Sequence, residues 1–286
     1  MRVSRIVITG AAAVLAAGGV LGMVPAAVQA SSASVPTWTQ QAPAVHPSAR
    51  IAQAMAYDAA TGTVVLFGGF GRCNCALGDT WTWDGTTWTK QQPAARPPAR
   101  WGAAMAYDAA TGTVVLFGGH NSRHGNLGDT WTWDGTTWTK QHPAVHPSAQ
   151  YYPTMAYDAA TSTAVLFGGS GGHGDLADTW TWDGTTWTKQ HPAVHPPAQD
   201  LAAMAYDAAT GTAVLFGLGH IRTHPAAATW TWDGTTWTKQ APATSPPARA
   251  EGAMAYDAAT GTAVLFGGYD FTNPAHPDLS DTWTWG

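Results

Sequence analysis

The sequence is short of charge. Only 11% of its 286 residues are Asp, Glu, Lys or Arg, less than half of the roughly 25% usual in soluble domains. Basic residues are scarcer still, at 13 against 18 acidic ones. That balance leaves no basic footprint for a nucleic acid and excludes such a partner. Cysteine is almost missing: Cys73 and Cys75 are the only two. None follows the apolar N-terminal stretch, so a lipid anchor on a mature N-terminal cysteine is excluded. What remains is rich in glycine (32) and tryptophan (16). Low charge with many aromatics supplies ample apolar area to bury, and disorder is excluded on that ground.

Residues 1–30 differ from the rest. Arg2 and Arg5 precede an apolar run from Ile6 that ends in Val28-Gln29-Ala30 before Ser31-Ser32. A positive start, an apolar middle and small residues before a polar run describe a secretory signal peptide cut after Ala30. The competing reading is an uncleaved membrane anchor, because the run is nearly long enough to span. Without the two leader arginines, 11 basic residues face 18 acidic ones, a formal charge of −7. The expected protein is extracellular, with no membrane span after leader removal.

A repeat organises residues 31–286. The segment Ala-Met-Ala-Tyr-Asp-Ala-Ala-Thr recurs around Met55, Met105, Met155, Met204 and Met254, with Thr154 replacing the first alanine of the third copy. The steps are 50, 50, 49 and 50 residues. A block Thr-Trp-Thr-Trp-Asp-Gly-Thr-Thr-Trp-Thr-Lys follows each of the first four, beginning its tryptophans at Trp81, Trp131, Trp180 and Trp230. A period near 50 points to a propeller or solenoid. Each copy reads as four short strands. Met55 and Tyr57 alternate with Ala54 and Ala56, and Gly62 closes a turn that begins at Asp58. Val64-Val65-Leu66-Phe67 is apolar on both faces and must be covered on both. Trp81 and Trp83 lie on a third strand, and Asp84-Gly85 turns the chain into a fourth around Trp88.

An apolar strand ending in a double glycine (Phe67-Gly68-Gly69, Phe117-Gly118-Gly119, Phe167-Gly168-Gly169, Phe266-Gly267-Gly268), followed by Trp83 and Trp88 or their equivalents, resembles the Kelch repeat family. The likeness covers essentially all of residues 36–286. It implies an all-β, five-bladed Kelch-type propeller with four antiparallel strands per blade. There are two departures: Phe216-Gly217-Leu218 breaks the pair in the fourth copy, and the Asp84–Thr87 turn is shorter than is usual in the family. The chain ends at Trp283-Thr284-Trp285-Gly286, before any fourth strand, while Pro36-Thr37-Trp38-Thr39-Gln40 matches the missing one. Residues 36–40 are therefore expected to complete the last blade and remove two free sheet edges. A truncated larger ring is the alternative, since Kelch rings usually have six or seven blades.

The copies disagree in two places: the second-to-third strand loop, and the approach to the first strand. In an antiparallel four-stranded blade both emerge on one face, which is the expected ligand face. All eleven histidines lie in these connections (His46, His120, His124, His142, His146, His173, His191, His195, His220, His224 and His276). The candidate ligand-binding residues are Trp101, Tyr151, Tyr152, Asp200 and Glu251 near the channel mouth. Arg72, Arg123, His124, His173, His220, Arg222 and Asp270 join them from the loops. The repeated tryptophans are expected to fill the wedge between blades rather than to stack on sugars. Asp58 and its copies could hold metal, but turn initiation explains them as well.

No cofactor and no dedicated metal site are expected. His142/His146 and His191/His195 share a four-residue spacing, but Pro143 and Pro192 forbid the helix that would align each pair. Cys73 and Cys75 read either as a local disulfide or as a soft-metal pair. Some Kelch propellers are copper-radical oxidases such as galactose oxidase, with two tyrosines, two histidines and a tyrosine–cysteine crosslink. Tyr151, Tyr152 and Tyr269 match no such motif, so no residue carries over and no enzyme is expected. The expected function is a monomeric, non-catalytic binding module recognising a protein or a glycan through its variable face. A structural scaffold without a small ligand is the alternative.

Overall fold

In the computed structural model, which describes residues 40–218, 227–270 and 278–286, every regular element is a strand. The first copy forms one antiparallel sheet of Ala54–Asp58, Thr63–Phe67, Thr80–Trp83 and Trp88–Gln91, adjacent in that order. Its register pairs Met55 with Leu66, Leu66 with Trp81, and Trp81 with Lys90. The second, third and fourth copies repeat the sheet. The fifth has three strands among the described residues, Ala253–Asp257, Thr262–Tyr269 and Asp278–Trp285. The chain divides into a unit Met1–Gln40 and a unit Gln41–Gly286, and the second carries every strand described. The expected leader, and all of the expected closing strand except Gln40, lie outside the described residues.

Aspartates set both invariant turns. Asp58 Oδ1 accepts the amide of Ala60 at 3.0 Å, and Gly62, at φ +70°, donates its amide to the Asp58 carbonyl at 2.8 Å. Asp84 Oδ1 accepts the amides of Thr86 and Thr87, both at 2.8 Å. These local bonds compete successfully with helix for short polar side chains. They repeat wherever the aspartates repeat.

Sheets of consecutive copies stack face to face, their first strands adjacent. Between the first two lie Val65 and Phe67 from one sheet and Met105, Trp133 and Trp138 from the next. The following pairs build equivalent clusters around Trp182 and Trp187, and around Trp232 and Trp237. The fourth-strand indole is the wedge. Trp138, Trp187 and Trp237 lie edge-on to Phe67, Phe117 and Phe167 at 5.3 Å between ring centres. Each donates Nε1–H to a threonine hydroxyl of the preceding sheet (Thr80, Thr130, Thr179) at 2.8–2.9 Å. Removing about 200 Å² of indole from water is worth about 5 kcal/mol at ~25 cal/mol/Å². The wedge reading of the repeated tryptophans is thus what the structure shows.

The double glycine is a corner. Gly68 has φ +66°, and a Cβ there would stand 2.5 Å from the Arg100 carbonyl of the next copy. Gly69 then donates its amide to that same carbonyl at 2.8 Å. In the fourth copy the corner is gone: the second strand runs on to Gly217, which pairs with Ala228, and Leu218 is buried. The fifth copy keeps both glycines at positive φ, and its second strand passes them with a register shift between Phe266 and Gly268.

The outer faces of the first and fifth copies differ from the interior. Met55 is 46% exposed, while Met105, Met155 and Met204 are 7–8% exposed. Phe266 is 44% exposed, against 0–3% for Phe67, Phe117, Phe167 and Phe216.

Candidate functional site

The two variable connections meet. Arg50–Ile51 pairs with Phe70–Gly71 in the first copy, and Trp101, Tyr151 and Ala250 form bridges with His120, Ser170 and Tyr269 in the second, third and fifth. Loop and approach segment of these four copies therefore form one surface.

A ladder of backbone bonds then steps from copy to copy. Gly102 donates its amide to Ala52, Tyr152 to Gly102, Leu201 to Tyr152 and Glu251 to Leu201, at 2.7–3.3 Å. All five residues have φ between +53° and +64°. For the four that are not glycine this left-handed conformation costs roughly 1 kcal/mol or more each. Such strain concentrates at functional sites. A cavity of about 500 Å³ opens beside the ladder, lined by residues that include Arg50, Ile51, Gln53, Tyr152, Leu201 and Glu251.

Buried arginines hold the approach segments in place. The Arg50 guanidinium binds both carboxylate oxygens of Asp79, at 2.7 and 3.0 Å, and the Gly68 carbonyl at 3.0 Å. Its remaining N–H groups go to the Ser48 carbonyl and hydroxyl. Arg100 holds Asp129, and Arg249 holds Asp281, in the same two-pronged way. A tryptophan N–H from the third strand also reaches each carboxylate at 2.7 Å. Burial opposes ionisation of Asp79 and Asp129, but the arginine and tryptophan bonds win and hold both below the usual carboxylate range. For Asp281 the Arg249 bond is the largest effect and brings it to about 2. In the third copy Gln150 replaces the arginine, and Asp178 pairs instead with half-exposed Lys189 at 2.9 Å. Sequence reading missed these pairs.

The unrepeated aromatics come together. Trp101 contacts Tyr151, Tyr152, His120 and Phe70, with ring centres 5.0–6.1 Å apart. Tyr151 and Tyr152 touch at 5.2 Å. Burial, then the charge of Glu251, then Tyr151 and Asp200, push the Tyr152 phenol up to about 12. It is neutral at every physiological pH.

The expected site residues divide three ways. Tyr152 and Glu251 line the cavity; Trp101 and Tyr151 form the aromatic wall beside it, with Asp200 next to Leu201. Arg72, Arg123, His124 and His173 are exposed in separate loops, and Asp270 is half-buried at the end of the fifth copy's second strand. His220 and Arg222 lie outside the described residues. Sequence reading did not find Gln53, whose side-chain oxygen is buried without a partner.

The histidine pairs lie outside the cavity. Prolines do exclude a helix, yet His142 and His146 line one pocket, and His191 and His195 line the equivalent one. His146 and His195 each bond through Nδ1 to the carbonyl of the following proline. Among the described residues no three His, Cys, Asp or Glu side chains form a group able to hold a metal ion. Cys73 and Cys75 are joined in a disulfide, which takes both thiolates out of metal chemistry. Asp58 is fully buried as a turn former, and its Oδ2 has no partner. No helix among the described residues is long and apolar enough to cross a membrane.

At the fourth interface Phe216 and Thr229 line a pocket together with Pro242, Leu265 and Trp283. They are the equivalents of Phe67 and Thr80, which hold Trp138 at the first interface. The chain matches no protein-family model and no curated protein.

Proposed function

We propose that the chain is an exported, monomeric, five-bladed Kelch-type propeller that works as a non-catalytic binding module for a glycan. The observation that carries the binding reading is the contiguous aromatic wall of Trp101, Tyr151 and Tyr152 beside a 500 Å³ cavity. Aromatic faces beside carboxylates suit the C–H faces and hydroxyls of sugars.

The blade count rests on interface arithmetic. The exposed faces of the first and fifth copies are the two halves of the interface that recurs inside the molecule, Met55 and Trp88 on one and Phe266 and Thr282 on the other. Residues 36–40 are the proposed fourth strand of the last blade.

Binding is tested by a glycan-array screen with and without chelator, repeated with Trp101→Ala and Tyr151→Ala. A saturable signal lost in both variants is the expected result. A blank array from folded protein would leave a structural scaffold as the better account. Closure is tested separately by Trp88→Ala, which should destabilise by about 3–5 kcal/mol if that indole is sealed against the fifth copy.

A further inference from the structure

We infer that the central cavity accepts a protonated amine and that, within the glycan-binding reading on which this rests, the ligand is a glycan with free amino groups. The reasoning is an inventory of donors and acceptors around the cavity. Gln53 Oε1 is a buried acceptor with no partner. Glu251 is exposed at the wall, and among the described residues no cation lies within ion-pair distance of it.

The one cationic side chain in the wall is Arg50, and all five of its N–H groups are committed: two to Asp79, two to Ser48 and one to the Gly68 carbonyl. A guanidinium so occupied offers no donor to an arriving anion. Tyr152 adds the face of a neutral ring, and aromatic faces attract cations. The cavity therefore presents an unpartnered acceptor and a carboxylate, its cationic side chain is spent, and its remaining side-chain donors, the Tyr152 hydroxyl and the Gln53 amide nitrogen, are uncharged. An ammonium, with three N–H donors and no acceptor, is the complementary group.

Two features favour a sugar amine over a lysine side chain. The aromatic wall continues outside the cavity through Trp101 and Tyr151, giving a second, uncharged surface for the rest of a ring-shaped ligand. The rigid approach ladder, with Tyr152 and Glu251 both held at positive φ, fixes the ring and the carboxylate relative to each other, as a rigid cyclic amine requires.

The experiment is titration calorimetry of the exported full-length protein with a glucosamine hexamer and with its fully N-acetylated counterpart, repeated for Glu251→Gln. The deacetylated hexamer should bind about tenfold tighter or better, the scale of a hydrogen bond to a charged group. Glu251→Gln should erase that preference while thermal unfolding stays unchanged. Equal binding of the two hexamers, or a preference that survives Glu251→Gln, would overturn the amine inference and leave the glycan reading standing. If neither hexamer binds and other glycans do, the inference fails alone. If no glycan binds but lysine-rich peptides do, the glycan reading fails and only the cavity's preference for a protonated amine survives. N-acetylation changes only the ligand, so the comparison remains decisive even if the variant does not fold.

Discussion

The interfaces inside the molecule and the faces at its two ends are built from nearly the same residues, yet they look different. Met105 is buried between two sheets, and Met55, in an identical Ala-Met-Ala-Tyr-Asp strand, is about half exposed. Phe117 is sealed under Trp187, while Phe266 is open. Burial here belongs to the neighbour, not to the residue. One sheet of this sequence cannot cover its own two faces, which is why the repeat is stable only as a stack.

That contrast can be broken most forcefully at a wedge. Trp187→Ala removes a fully buried indole and its bond to Thr130, and should cost about 3–5 kcal/mol in urea unfolding. Trp88→Ala, on the outer face of the first sheet, should cost about as much only if the ring closes as proposed. A loss under about 1 kcal/mol, the scale of surface changes, would mark that face as open.

The arginine pairs give a contrast of a different kind. Arg100→Met leaves the mostly buried Asp129 carboxylate without its partner and should destabilise by about 3 kcal/mol. Lys189→Ala breaks the half-exposed pair with Asp178 and should cost no more than about 1 kcal/mol. Comparable losses would show that the interior pairs are not what holds the approach segments.

Acid should loosen the fifth copy's pair more gently. Asp281 is held by Arg249 at about 2, below its unfolded value of roughly 3.9, so its folded state binds the proton less readily. The stabilisation is complete above about pH 4 and is lost as pH falls through about 2. In Asp281→Asn that part of the acid transition should disappear from a pH series of melting temperatures.

Alkali acts on the site, with the smallest expected effect. Tyr152 ionises near 12 when folded, against roughly 10 when unfolded, because burial and the charge of Glu251 disfavour the phenolate. Its contribution is complete below about pH 10 and fades as pH rises through 12. Glu251→Gln should bring the phenol's absorbance titration to lower pH, and an unmoved titration would separate the two groups.

What the sequence made readable was local or repeated. Alternation over Ala54–Asp58, aspartate-led turns at Asp58 and Asp84, and the both-faces-apolar strand Val64–Phe67 all follow from near neighbours, and five copies amplify them. Pairs distant in the chain left no local mark. Arg50 and Asp79 are 29 residues apart, and only aligning the copies against one another hints at their coupling: the fourth has Gln199 and Ala228 in their places, although the third, with Gln150, keeps Asp178. The left-handed ladder was invisible because Ala52, Gly102, Tyr152, Leu201 and Glu251 share no chemistry, only a conformation imposed by the next copy's backbone. Trp101 and Tyr151 stood out because they broke the repeat. Their contact with each other and with His120 depended on how neighbouring sheets stack, which no single copy encodes.

The proposed ring depends on the two end faces being halves of the same interface that close on each other. Peroxide footprinting of the monomer, read as oxidation rate at each methionine, tests it most directly. With closure, Met55 should be protected to the same degree as Met105, Met155 and Met204. Oxidation of Met55 at the rate of a free methionine, with the other three protected, would contradict closure.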